Sequence, residues 1–361
     1  MTTHPFLTHD KFLLGTFASN CSSGMTVSKL PERWKGSWEE NLRLAKIMDE
    51  AGMDFMLPIA RWVGYGGETD FHGSVLETMT WAAMLAMHTK QLTLFATIHT
   101  TANHPMVVAK QIATISQATG GRVGLNIVAG WNKPEYDALG FTLPDDHETR
   151  YGYAQEWFDF IRKLWTSEEH FDWKGKYFNT KGSYGRPFPL VNPPIFNAAG
   201  SPQGRDFAVR NANFLFTPAI DLVRSKEEIT ELKDQGKAAG RKIDVMTFSH
   251  VVCRPTEAEA RAELQRQLDN ADWPAVDNLV NLLFAHAQSF PHDLLATIRN
   301  GMATGHGGFP LVGTPDQVVE GIASLHAAGF RGTTLSFLDY AKELPFFAEN
   351  VLPKLAARGI R

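Results

Sequence analysis

The chain reads AKQIATISQATGG over residues 109–121 and passes directly into RVGLNIVAG over residues 122–130. The first piece is an amphipathic helical stretch ending in glycine, which accepts the left-handed conformation that closes a helix at little cost. The second is a short apolar run with little alternation, as expected of a strand covered on both faces. The same unit recurs. NLRLAKIMDEAG (41–52) precedes MDFMLPIA, ITELKDQGKAAG (229–240) precedes RKIDVMTFSHVVC, and VVEGIASLHAAG (318–329) precedes FRGTTLSFL.

Collecting the β-type runs gives KFLLGTFA (11–18), DFMLPIA (54–60), QLTLFATIH (91–99), RVGLNIVAG, PIFNAA (194–199), NFLFTPA (213–219), DVMTFSHVVC (244–253) and GTTLSFL (332–338). Helix-type segments separate nearly all of them. Such alternation implies a parallel sheet, and eight units over a chain of 361 residues favour a closed (β/α)8 TIM barrel of the α/β class. An open doubly wound sheet is the alternative. A single domain over 1–361 is expected, because no composition break marks a linker. Segments 168–193 and 256–308 are too long for simple connections and read as insertions at one rim.

The totals exclude several classes. A net formal charge of −4 offers no basic surface for nucleic acid or acidic membrane. No stretch approaches the roughly 20 apolar residues needed to span a bilayer, and the start, MTTHPFLTHDKFLLG, lacks the pattern of a secretory signal. The only two cysteines, Cys21 and Cys253, lie far apart, which fits a reducing cytoplasm and argues against a disulfide framework or thiolate metal site. No metal is expected: the thirteen histidines form no HxH or HExxH arrangement. Phosphate loops of the Walker type, GxSxG elbows and GxGxxG fingerprints are also absent.

A barrel places its site at the C-terminal ends of the strands. PIARWVGYGG, IHTTANHP, GWNKPEY and AAGSPQG all fall at that rim. In the last of these, Ser201 reads as an N-cap with Pro202 at the first helical position, and a helix start there offers free N–H groups to a phosphate. Arg61, in a Gly-rich loop, could hold a carbonyl or a phosphate, or be an ordinary solvated arginine. Asn126 interrupts an apolar strand and is expected to point into the barrel, satisfied by backbone or by a planar heterocycle. His99, Thr100 and His104 cluster at another strand end, with no acid at a spacing that names an orienting partner. Trp34, Trp38, Trp62, Trp131 and Tyr151 would be core or lid, and their concentration near the rim suits a flat aromatic ligand.

SQATGGRVGLNIVAGWNKPEYDALG (116–140), DDHETRYGYAQEW (145–157) and AAGSPQGRDFAVRNANF (198–214) resemble the bacterial luciferase-like flavin-dependent monooxygenases. GMTVSKL (24–30) and RWVGYGGETDFH (61–72) place the likeness in the two-component branch that holds the pyrimidine and dimethyl sulfone monooxygenases. It runs from about residue 12 to about residue 355. The resemblance implies FMN at the barrel rim, reduced by a separate NAD(P)H-dependent flavin reductase, and dioxygen as co-substrate. It also implies a small organic substrate (an N-heterocycle, amide or sulfone, with a pyrimidine-like molecule favoured) and a homo-oligomer. Flavin contacts would fall on Ala60 and Arg61, Asn126, Glu135, Arg150 with Tyr151, and Gly200 with Ser201. Arg61, Thr100 and Asn126 would be the catalytic contacts at the flavin edge, and Gly130 would let the backbone approach the ring. Where the pyrimidine enzymes carry lysine, this chain has Arg61. The rival activities are a deazaflavin-dependent dehydrogenase and a non-catalytic flavin-binding barrel.

Overall fold

Runs of Val, Ile, Leu and Phe that alternate with capped helices close into a cylinder in the computed structural model, which describes residues 2–284 and 292–361. Its first four strands are β1 (Leu13–Phe17), β2 (Phe55–Leu57), β3 (Thr93–His99) and β4 (Val123–Val128). An antiparallel hairpin follows, β5 (Phe171–Lys174) with β6 (Asn179–Ser183). The remaining strands are β7 (Ile195–Ala198), β8 (Phe214–Phe216), β9 (Asp244–Cys253), β10 (Phe309–Gly313) and β11 (Gly332–Ser336). β1, β2, β3, β4, β7, β8, β9 and β11 pair in that order, all parallel, and β11 pairs back to β1. These eight are the eight runs read from the sequence. The closed barrel, not the open sheet, is the fold.

Three strands were not anticipated, β10 and the two of the β5–β6 hairpin. β10 extends the sheet from the upper half of β9, Ser249–Cys253, outside the closed ring. Its sequence, FPLVG, is short and carries Pro and Gly, so nothing local announced a strand. The stretch 168–193 holds the β5–β6 hairpin, while 256–308 carries the helices Glu257–Asp269, Trp273–Leu283 and His292–Gly305.

Helix ends follow from local chemistry. Helix Trp38–Glu50 starts with a capping box of Ser37 and Glu40. Helix Pro105–Thr119 ends at Gly120 in the left-handed conformation, as the repeating unit requires.

Alternation along each strand sorts the core into two layers. Val123, Leu125 and Ile127 pack outward against the helices, so Gly124, Asn126 and Val128 face the barrel axis. The lower interior is a cluster of rings: Phe6, Phe55, Phe95, Phe196, Phe214 and Phe216. Phe6 comes from the N-terminal turn Pro5–Leu7 and plugs the bottom, 5.4–5.6 Å from the rings of Phe55, Phe95 and Phe214. Gly124 is glycine because a Cβ there would lie 2.2 Å from the Phe95 ring.

Candidate active site

Two residues above Phe95 on β3 the interior turns polar. Thr97 stands opposite Asn126 in the β3–β4 register, and the Asn126 amide donates to the Thr97 hydroxyl at 3.2 Å. Thr97 in turn donates to the Pro58 carbonyl beyond β2. Asn126 is 4% exposed, and its Oδ1 has no partner among the described residues. A buried amide oxygen left in this state costs about 1–3 kcal/mol, so it is expected where a ligand completes the bonding.

The helix that follows β4, Lys133–Leu139, carries Glu135 in its first turn. Glu135 is fully buried; its Oε1 accepts from Arg61 Nη1 at 2.9 Å and from the Trp62 backbone N–H at 2.9 Å. Arg61 lies over the Tyr65 and Trp131 rings, 4.9 and 5.4 Å from their centroids. Its side chain is only 6% exposed, so the solvated arginine of the sequence reading is replaced by a buried ion pair between aromatic walls. The other carboxylate oxygen, Oε2, stands 4.0 Å from His99 Nδ1, and neither atom has a hydrogen-bond partner among the described residues. Burial pulls the His99 pKa down to about 4, against the raising effect of Glu135; Arg61 adds to the lowering. His99 is therefore neutral at pH 7. Ala60, Arg61, Trp62, His72, Thr97 and His99 contribute to the wall of a cavity of about 200 Å³ at this strand end.

The second group lies across the β4 loop. Ser201 caps helix Pro202–Asn211, accepting from the Gly204 N–H at 3.2 Å, and Pro202 takes the first position as the sequence indicated. Open space surrounds Gly200, where a Cβ would meet nothing within 4 Å. The Tyr151 hydroxyl lies against this helix start, since a Cβ on Gly204 would approach it to 2.5 Å. Burial raises the Tyr151 pKa, and a hydrogen bond with Ser201 partly offsets it, as does Arg150. Arg150 donates to the Gly130 carbonyl at 3.2 Å and so ties the two groups together.

Thus Ala60, Arg61, Asn126 and Glu135 meet at the barrel mouth, and Arg150, Tyr151, Gly200 and Ser201 meet beside the helix start. Thr100 opens a short turn after β3, is buried, and leaves its hydroxyl unpartnered. The threonine bonded to Asn126 is Thr97, which the sequence reading passed over. Continuing the inward alternation from Phe95 would have found Thr97, and it puts His99, already singled out, on the same face. At Gly130 the φ is +104°, and a Cβ there would strike the Tyr136 hydroxyl at 1.8 Å, so the local backbone alone calls for glycine. Among the described residues no group of three or more His, Cys, Asp or Glu is placed to hold a metal ion.

Fold and rim define an α/β-barrel protein whose polar site sits at the C-terminal strand ends. The chain belongs to the luciferase-like monooxygenase family, which matches residues 13–332. It is similar to an FMNH2-dependent dimethylsulfone monooxygenase of Pseudomonas fluorescens (strain Pf0-1), at 29% identity over 345 residues covering 92% of each chain. The pyrimidine monooxygenase RutA of Acinetobacter baylyi is 28% identical over 351 residues, 96% of this chain and 95% of that one. Among solved structures, DmoA from Hyphomicrobium sulfonivorans superposes with a TM-score of 0.85 at 19% identity, covering 97% of this chain and 89% of that one.

Proposed function

We propose that the protein is a two-component monooxygenase that takes reduced FMN from a separate NAD(P)H-dependent flavin reductase and uses dioxygen to oxygenate a small organic molecule. A pyrimidine-like N-heterocycle or an amide is favoured over a sulfone. The class, an FMN-dependent oxidoreductase, rests on the family and on the activities named for the similar proteins. The observation that carries the reading is the unpartnered buried Oδ1 of Asn126 at the polar end of the barrel, the same end that holds the Arg61–Glu135 pair.

The residues present fit a flat heterocycle with a phosphate tail. Asn126 Oδ1 is a buried acceptor in need of a donor, while open space at Gly200 adjoins a capped helix start. The N–H groups at that start and the Ser201 hydroxyl would hold the phosphate, with the positive end of the helix dipole favouring its charge. Asn126 would hold the polar edge of the ring. Arg61, neutralised by Glu135, would orient a polar group without binding an anion outright. Trp62 and Trp131 flank the mouth and would keep water from it. When bound, reduced flavin supplies the electrons that activate dioxygen; no protein nucleophile is needed. With both cysteines free and buried, cytoplasmic work is part of the proposal.

Turnover with a flavin reductase, NADH and oxygen against a panel of heterocycles, amides and sulfones, read by mass spectrometry, tests the proposal. An oxygen-dependent product is expected. Tight oxidised FMN with no product from any member would point to a non-catalytic flavin barrel instead. Asn126→Leu should still fold and bind FMN through its phosphate, yet release hydrogen peroxide at the expense of product. Unchanged coupling would make Asn126 an ordinary core amide.

A further inference from the structure

His99 had no orienting partner in the sequence, and the fold supplies one from another loop. Its Nδ1 faces Glu135 Oε2 at 4.0 Å, with both atoms buried and without hydrogen-bond partners among the described residues. Two lone pairs facing each other at that distance repel, whereas an N–H directed at a carboxylate is attracted. Nδ1 is therefore the favoured seat of the neutral ring's proton. A neutral imidazole has one N–H, so Nε2 is a bare acceptor. None of the described contacts of His99 uses Nε2, and His99 lines the cavity at the ends of β2 and β3.

The charged groups around this cavity are already engaged. Arg61 is paired with Glu135, and Glu77, also on the wall, accepts from the Met79 and Thr80 N–H groups as the cap of helix Thr78–Met87. Asn126 donates one of its two amide N–H groups to Thr97, which leaves its carbonyl oxygen without a partner among the described residues. Arg61 and Glu135 offset each other's charge, and the open polar atoms here are both donors, such as Arg61 Nε, and acceptors, such as Asn126 Oδ1.

We infer that His99, oriented by Glu135, makes this cavity selective for neutral substrates that carry an N–H or O–H donor, with Nε2 accepting from that donor. Lactams, imides and hydroxylated heterocycles meet the requirement; a dialkyl sulfone, which offers only acceptors, does not. This rests on the proposed monooxygenase reading and narrows its substrate class. Glu135 is a positioning residue here, and His99 is the one that touches substrate.

The test uses FMN-loaded protein and matched probes: uracil with 1,3-dimethyluracil, succinimide with N-methylsuccinimide, 2-pyrrolidinone with N-methyl-2-pyrrolidinone, and dimethyl sulfone. FMN affinity is measured first, by fluorescence, in the wild type and in His99→Phe and His99→Gln. Failure of the wild type to bind FMN would overturn the functional reading and this inference with it. With FMN bound, calorimetry should show at least one N–H probe binding about tenfold or more tighter than its methylated partner. That gap should vanish in His99→Phe and survive in part in His99→Gln, which keeps a side-chain acceptor. A gap that persists in His99→Phe, the absence of any gap across the pairs, or tighter binding of dimethyl sulfone than of every N–H probe overturns the inference while leaving the flavin reading intact.

Discussion

Strand β3 passes through two environments within four residues. At Phe95 it joins the ring-packed floor, where Phe55, Phe95, Phe196 and Phe214 meet at centroid distances of 4.7–5.8 Å. At Thr97 and His99 it enters the mouth, where buried atoms of His99, Asn126 and Glu135 have no partners among the described residues. The floor is finished by the chain itself, with even the N-terminal Phe6 folded in as a plug. At the mouth, by contrast, the chain leaves bonds for something else to make. Stability should therefore reside in the first region and ligand response in the second.

The sharpest way to break this contrast is Phe196→Ala. Phe196 is fully buried among the rings, and truncation should cost about 3–5 kcal/mol in denaturant unfolding. The FMN affinity of the folded fraction should hardly change. A comparable loss of flavin binding would mean that floor and mouth are one unit.

Acid should act on the mouth more than on the floor, where buried His4 beside Phe6 is also lowered by burial. Burial lowers the pKa of His72 well below its ordinary value and that of His99 to about 4; Arg61 adds to the lowering in both. Burial also lowers His250, which is hydrogen-bonded to Gln267, to about 4. These rings stay neutral in the native state, whereas in the unfolded chain they take up protons near pH 6.5. Stability is then full above about pH 6.5 and falls as the pH drops toward about 4, by up to about 1.4 kcal/mol per pH unit for each histidine. Denaturant midpoints at pH 7 and pH 5 measure this, and His99→Phe should flatten the slope. An unchanged slope would place the acid sensitivity elsewhere.

Ser201→Ala should have the smallest effect on stability, about 1 kcal/mol for a lost cap. FMN affinity should fall several-fold to about a hundredfold, with riboflavin affinity hardly changed. If both flavins weaken alike, Ser201 serves only to cap its helix.

The same contrast marks what could be read in the sequence. The barrel was legible because its signals are local: a helical period, a closing glycine, then an apolar run. The start of helix Pro202–Asn211 was legible for the same reason, from Gly200, Ser201 and Pro202. The mouth depends on contacts between distant residues. Glu135 reaches Arg61 and Trp62 across more than seventy positions, and Thr97 meets Asn126 only through the register of two parallel strands. Residue type placed Arg61, Asn126 and Glu135 at the rim, but no spacing could say that Glu135 would also face His99. The β10 strand and the role of Phe6 escaped because neither segment carries a periodic pattern of its own.

Hydrogen exchange with and without saturating FMN tests the central claim most directly. Binding should slow exchange at 97–104, 126–136 and 199–205, with the floor segments 13–15, 195–196 and 214–216 unchanged. Protection that spreads evenly over the barrel, or that appears away from the mouth, would contradict the assignment of this end as the unfinished, cofactor-completed one.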